Sequence, residues 1–284
     1  MIGQGHLLNR LYKILENDDF PALLILEGQK GSGKKTVIQK MMKCSPQITF
    51  ITVDDLGVES IRYLIQMAYT NKGYCYILSD ADSMSLAARN ALLKVTEEPP
   101  NKSCFIMTLE DINNTLETIK SRATVLTMDR YSKDELFVYL ESLKTNLSNE
   151  EKKMVLDWVE TPGEVNEIVA VGPKELMDYV DLVIDNMTEV STANAFKIPS
   201  KVAIKDSDAG YDVGIFWKVL CRRCVGKATS ALWSAGEKND MNMYLDWVTI
   251  TSSYLRQLRV KAVNKAMLVD NWIIDIREAI NGYK

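Results

Sequence analysis

Histidine is almost missing from this 284-residue chain, which has His6 and no other. A Ser-His-Asp triad or a multi-histidine metal site is hard to build from one imidazole. Long apolar runs are missing too. No stretch of 18 or more apolar residues occurs, so the sequence carries no membrane span. The opening stretch MIGQGHLLNRLYKILENDDF has polar and acidic residues where a signal peptide needs an apolar core. The expectation is a cytoplasmic protein without membrane contact. An excess of basic charge is also lacking: 34 Lys and Arg stand against 38 Asp and Glu, a net charge of −4. Any nucleic-acid contact must therefore be a local patch. No internal repeat or low-complexity tract stands out. What is present is ordinary for a soluble globular protein, with 46% apolar and 25% charged residues, and the length allows two or three domains.

Five cysteines occur. Cys75 and Cys104 lie in apolar runs and read as core thiols. Cys221 and Cys224 form a C-x-x-C inside a helical pattern, without a second ligand pair or a nearby histidine. A zinc site needs about four ligands, so a structural role is expected.

Short buried runs alternate with helical patterns through the first 130 residues. ALLILEG (22–28), ITFITVDD (48–55), YCYILSD (74–80), SCFIMTL (103–109) and ATVLTM (123–128) read as strands. GKKTVIQKMMK, VESIRYLIQMAY (58–69) and SLAARNALLKVTEE (85–98) read as helices. On the second of these Ile61, Leu64, Ile65 and Ala68 share a face, and the third must stop before Pro99-Pro100. This alternation argues for a parallel α/β sheet. From 131 the strand signal fades. Ser132 with Glu135, and Ser148 with Glu151, have capping-box spacing. TPGE (161–164) breaks the pattern and another helix follows. Residues 131–172 read as a small helical domain and 173–284 as mostly helical. Within that last part VGIFWKVLCRRCVGKATSALW and MNMYLDWVTITSSYLRQLRVKAVNKA read as long helices, beyond a loop at 197–210. Trp217, Leu220, Trp233, Trp247 and Trp272 are expected in its core. Arg256, Arg259, Lys261 and Lys265 are expected as a solvated basic face, with contact to a partner or to DNA phosphate as the lesser alternative.

EGQKGSGKKT (27–36) is the richest stretch chemically. A strand, a glycine-rich turn and a helix start form the context in which Gly28, Gly31, Ser32, Gly33 and Lys34 read as a phosphate loop. Its backbone N–H groups surround phosphate oxygens, helped by the positive helix end. Lys34 would reach the β- and γ-phosphates. The hydroxyl that should follow for Mg²⁺ is replaced by Lys35, and Thr36 comes one place late. Ser79, Asp80 and Asp82, at the end of a later strand, offer the acidic partner that a phosphoryl-transfer site uses.

YILSDADSMSLAARNALLKVTEEPP (76–100) resembles the clamp-loader branch of the AAA+ ATPases, especially its delta-prime-like subunits. ITVDDLGVESIRYLI, FIMTLEDINNTLETIKSRA, the IGQ at 2–4 and TPGE resemble further pieces of the same family. The likeness covers about residues 1–170 in order, and NALLKVTEEPP is its most specific part. The fold it implies is α/β: an AAA+ P-loop domain (1–130) with a parallel five-stranded sheet, a helical lid (131–172) and an all-α collar for oligomerisation (173–284). Ile2 would lie on the adenine side of a bound ATP.

The same register implies departures. Ser79 falls where the family's Mg²⁺-binding Asp belongs, and Asp80 falls where its catalytic carboxylate belongs. Leu109 takes the polar sensor-1 position, with Thr108 one residue early, and Glu164 takes the place of the sensor-2 Arg. With Lys35, these are the positions that handle Mg²⁺ or the γ-phosphate, and their loss should remove most stabilisation of the transferring phosphoryl. A register shifted by one would instead make Asp80 the metal ligand. Ser121-Arg122 is intact and falls where the family carries an arginine finger that reaches a neighbour's ATP in trans. The zinc module of many delta-prime subunits is missing between Thr36 and Tyr74, as in shortened, phage-type relatives.

The resemblance thus implies a subunit of a pentameric ring that helps place a sliding clamp on primer–template DNA. It would bind ATP with little or no hydrolysis, use Mg²⁺ only through Asp80, and hold no zinc. Its setting would be a bacterial or phage-infected cell. Helix 61–69 is the family's sliding-clamp contact region in some subunits. Two rivals stand beside this reading: an active, multi-copy motor subunit of the same machine, and a non-catalytic replisome scaffold.

Overall fold

The computed structural model describes residues 2–16, 20–189, 202–203, 210–233, 238–258 and 264–283. They group into two compact units: residues 1–144 with 160–163, and residues 145–159 with 164–284.

The first unit is built on a five-stranded sheet of β1 (Leu23–Glu27), β2 (Thr49–Val53), β3 (Tyr74–Leu78), β4 (Cys104–Leu109) and β5 (Thr124–Thr127). The spatial order is β2-β3-β4-β1-β5, and every pairing is parallel. Alternate side chains of a strand point to opposite faces. Leu23, Ile25, Tyr76, Leu78, Phe105 and Met107 therefore pack on one face, where α3 (Val58–Thr70) and α4 (Leu86–Glu97) contribute Ile61, Leu64, Ala88 and Leu92. Leu24, Leu26, Ile77 and Ile106 pack on the other, under α1 (Gly5–Glu16) and α2 (Lys34–Cys44), with Leu7, Leu11, Val37 and Met41. Burial on both faces is why these strands read as continuous apolar runs. Of the expected α3 stripe, Ile61, Leu64 and Ala68 are buried and Ile65 is half-buried. Cys75 and Cys104 face each other in register across β3 and β4. The Cys75 thiol is pushed up by its hydrogen bond with Cys104 and by burial.

Short segments close the unit: α5 (Glu117–Lys120) and α6 (Lys133–Ser142). Ser132 and Glu135 form a reciprocal capping box at the start of α6. Gln4 pins the N-terminal segment to the end of β5, its amide exchanging two 2.9 Å hydrogen bonds with the backbone of Asp129.

The second unit holds α7 (Asn149–Trp158), the body of α8 (Pro162–Val171), α9 (Pro173–Glu189), α10 (Val213–Trp233), α11 (Lys238–Gln257) and α12 (Lys265–Asn281). Ser148 and Glu151 cap α7 reciprocally. Trp217, Trp247 and Trp272 are fully buried, and Trp217 lies 5.8 Å from Trp272 between ring centroids. The Trp272 indole donates to the Thr251 hydroxyl at 3.0 Å.

Three expectations for this unit change. Trp233 is 83% exposed rather than in the core: in the last turn of α10, Ala231 is buried, while Leu232 and Trp233 fall on the solvent side. The long helix expected over 241–266 is two helices. α11 closes at Gln257, and α12 opens at Lys265 behind Asn264, whose side chain accepts from the Met267 N–H at 3.3 Å. Asparagine is a strong N-cap, and the helical periodicity on both sides hid it. The basic face is correspondingly split: Arg256 ends one helix and Lys265 begins the next, while Arg259 and Lys261 lie outside the described residues. A two-residue parallel strand pair, β6 (Val202–Ala203) with β7 (Tyr211–Asp212), also appears. The rest of the expected loop, 197–201 and 204–209, is outside the described residues.

Candidate phosphate-binding site

In open parallel sheets, ligands sit outside the carboxyl ends of the strands. Here the ends of β1, β3 and β4 lead into the glycine loop, the Ser79–Asp82 turn and Glu110. The Gly28 N–H donates to the Leu109 carbonyl at 3.0 Å, tying the loop to β4. A side chain on Gly28 would meet Met128 at 2.7 Å. Gly31 and Gly33 have φ of 79° and 96°, a conformation that only glycine enters at no steric cost.

Gly33 is also the N-cap of α2 and offers no side chain to the first turn. The opening N–H groups of that helix have no intrahelical acceptor, and the helix dipole adds partial positive charge there. Ser32 is buried, and its hydroxyl has no hydrogen-bond partner. Its carbonyl accepts from the Tyr131 hydroxyl at 2.7 Å. Burial pushes the Tyr131 pKa up, so this donor stays protonated. Lys34 is 7% exposed and donates to the carbonyls of Gly28 at 2.5 Å and Gln29 at 3.0 Å. Burial lowers its pKa, while Glu110, Asp80 and Asp82 pull the other way.

The TPGE segment meets the loop directly. The Gly163 N–H donates to the Gly31 carbonyl at 3.0 Å, and a side chain on Gly31 would strike Thr161 Oγ1 at 2.8 Å. Ile2 is half-buried near the Gln4 anchor. Thr36 is exposed.

At the second strand end, Asp80 adopts a left-handed φ of 56° and donates its N–H to Thr108 Oγ1 at 2.8 Å. Thr108 is thus the polar group that reaches the turn, while Leu109 is fully buried in the sheet core. The Asp80 carboxylate is 65% exposed and lies 3.4 Å from the Lys35 ammonium. Asp82 is buried: one oxygen accepts the Glu110 N–H at 2.8 Å and the other has no partner. Ser79 is half-buried.

The donor set fits phosphate oxygens: a backbone nest, a helix N-terminus, Lys34 and the Ser32 hydroxyl. It does not fit Mg²⁺ in the usual way. An ammonium fills the place of the hydroxyl ligand and pairs with Asp80, and Ser79 brings no charge. Among the described residues, no three of His, Cys, Asp and Glu are grouped to hold a metal ion.

Arg122 follows α5 and is about one-third exposed. Its guanidinium donates to the Thr118 carbonyl at 2.7 Å and to Glu97 at 2.8 Å. Glu164 belongs to the second unit, where Lys218 pairs with its carboxylate. Tyr131 and Lys218 could not be read as partners from local pattern, because each contact joins residues far apart in the chain. Cys221 is half-buried and Cys224 is buried on α10. Burial pushes the Cys221 thiol up to about 11 and the Cys224 thiol up as well.

The model of the family "DNA polymerase III, delta subunit" matches residues 41–132. The DNA polymerase III subunit gamma of Buchnera aphidicola subsp. Schizaphis graminum is 23% identical over 235 residues, which cover 71% of this chain and 63% of that protein. The subunit delta' of Bacillus subtilis is 24% identical over 185 residues, covering 51% and 56%. The chain thus spans about six-tenths of the length of these relatives. A solved structure of a DNA polymerase III gamma subunit-related protein from Thermotoga maritima superposes with a TM-score of 0.55 at 17% identity. It covers 96% of this chain and 99% of that one, and at this identity it speaks for the fold. With its parallel five-stranded sheet, its helical C-terminal part and these relatives, the chain resembles a clamp-loader AAA+ subunit of the delta-prime kind.

Proposed function

We propose that the chain is a delta-prime-like member of a clamp-loader ring that binds nucleotide phosphate but hydrolyses little or none itself. One observation carries this reading: a complete phosphate nest lies beside cation-handling positions held by Lys35, Ser79 and Leu109. The chain's contribution to turnover would be Arg122, supplied in trans to the ATP of a neighbouring subunit. Arginine suits that role because its charge is permanent and its planar fork matches phosphate oxygens. Glu97 and Thr118 hold the guanidinium and leave donors free for a phosphate.

The division into an AAA+ domain (1–130), a lid (131–172) and a collar (173–284) belongs to the same proposal. So do the pentameric ring, the sliding clamp and primer–template DNA as partners. Tyr63 and Tyr69 stand 64% and 57% exposed on α3, which supports assigning clamp contact to that helix.

The test has two stages. The purified chain, with Asp80→Ala and Lys34→Ala beside it, is assayed for steady-state ATP hydrolysis. No turnover by the wild type is expected, and turnover abolished by both substitutions would make the chain a motor subunit. Arg122→Ala is then assayed in the complex reconstituted with its partner subunits. Loss of an arginine finger costs on the order of 10³–10⁵ in kcat at the site it serves. Unchanged ATPase of the complex would refute the trans role.

A further inference from the structure

Lys35 and Asp80 lie 45 positions apart in sequence, and the fold brings their charged groups to 3.4 Å at the mouth of the phosphate loop. Both side chains are about two-thirds exposed. Exposed ion pairs of this kind add little to stability, so holding the fold together does not account for this one. Its location is more informative. Lys35 is the second residue of α2, where a phosphate loop presents its cation-ligating hydroxyl. Asp80 is held in place by its own backbone, through a left-handed φ and the hydrogen bond to Thr108.

The other groups at the mouth do not restore a metal site. Thr36 is one residue further along α2, so its hydroxyl is turned about 100° around the helix axis. Ser79 is uncharged. Asp82 is buried, with one oxygen committed to the Glu110 N–H. Glu110 is exposed, and its charge acts on Lys34. Mg²⁺ demands near-octahedral oxygen ligands and is normally held by one or two carboxylates together with substrate phosphates. Here it would have to displace an ammonium from Asp80 and then sit beside that like charge.

We propose that this loop takes a nucleoside polyphosphate without a divalent cation, the Lys35 ammonium standing where Mg²⁺ would. The inference rests on the reading that the loop binds phosphate at all. Metal-free ATP carries more negative charge than its Mg²⁺ complex. The site meets that charge with two adjacent lysines, the opening N–H groups of α2 and the Ser32 hydroxyl. An ammonium is a compact point charge with three rotatable donors, so it bridges Asp80 and a phosphate oxygen without a fixed coordination geometry. It does not polarise water as a metal does, which accords with weak hydrolysis.

The experiment is calorimetric titration of ATP into the full chain, in excess MgCl₂ and in EDTA at matched ionic strength. Excess MgCl₂ ties up nearly all ATP as its Mg²⁺ complex, so a site that takes metal-free ATP is expected to bind at least about tenfold more weakly there than in EDTA. Lys34→Ala is expected to abolish binding in both. Lys35→Thr, which returns a hydroxyl and frees Asp80, is expected to bind at least tenfold more tightly in Mg²⁺ than in EDTA. Lys35→Met is expected to bind weakly in EDTA. A wild-type Kd in MgCl₂ that is less than about tenfold above that in EDTA would overturn this proposal and leave the phosphate loop standing. No binding in either buffer would overturn both. Because Lys35 is exposed, circular dichroism of the variants should match wild type, and a variant that fails this check is replaced by Lys35→Gln.

Discussion

Replacing Gly163 by alanine places a methyl group 2.4 Å from the Cα of Gly31 and 3.2 Å from its carbonyl oxygen. Both neighbours are backbone, so no flexible side chain can swing aside. Gly31 has little room to yield, since Thr161 lies against it on the same side and its φ of 79° is set by the loop. Overpacking of this kind costs about 1–3 kcal/mol. Prying the segments apart also loses the Gly163 N–H to Gly31 carbonyl bond, worth about 1 kcal/mol. Alanine's higher helix propensity near the start of α8 returns less than about 1 kcal/mol. The net expectation is a loss of about 1–4 kcal/mol, or a fall in melting temperature of roughly 2–16 °C for a unit of this size. Gly226 is the control. It lies within α10 with nothing inside 4 Å of an added Cβ, so Gly226→Ala should gain about 1 kcal/mol. Differential scanning calorimetry of the two variants beside wild type decides the matter. If Gly163→Ala melts with wild type while Gly226→Ala melts higher, the close packing of TPGE on the phosphate loop is refuted. If the packing is right, Gly163→Ala should also weaken ATP binding, because Gly31 is part of the nest.

Cys44 is exposed, whereas Cys75, Cys221 and Cys224 have thiols raised above the usual range, so at pH 8 a disulfide reagent should label Cys44 first and the others only on unfolding. The folded state keeps those protons longer than the unfolded chain, so urea midpoints should fall as pH rises from about 9, the ordinary thiol value, through about 11, where Cys221 titrates. A flat midpoint over that window would refute the burial of these thiols. Ser132→Ala removes half of the α6 capping box and should cost about 1 kcal/mol in urea unfolding, with Ser132→Asp restoring most of it. Trp233 is the one strongly exposed indole, while Trp158, Trp217, Trp247 and Trp272 are buried. Trp233→Phe should therefore remove most of the acrylamide-quenchable fluorescence, and quenching that persists unchanged would place another indole in solvent.

Much of this protein was readable from local pattern. The five strands of the parallel sheet announce themselves because a strand buried on both faces must be apolar at nearly every position. Both capping boxes follow from a serine three residues before a glutamate. The glycine loop is legible because φ values of 79° and 96° leave few alternatives to glycine. NALLKVTEEPP and the Ser121-Arg122 pair gave the family resemblance. All of these are written in residues a few positions apart.

What the sequence could not decide was which distant residues meet. Lys35 finds Asp80, Tyr131 finds Ser32, Arg122 finds Glu97 and Glu164 finds Lys218. Glu164 reads in the sequence as a lone negative charge, and the fold pairs its carboxylate with Lys218. Trp233 and Trp217 share one helix and one residue type, and only packing separates the exposed indole from the buried one. The break at Asn264 was hidden because periodicity continued on both sides of it. Periodicity and capping depend on neighbours a turn or a strand repeat away, so the sequence determines them by itself. A contact between residues tens of positions apart exists only once the sheet order and helix packing have fixed the path of the chain, and so only the tertiary structure decided it.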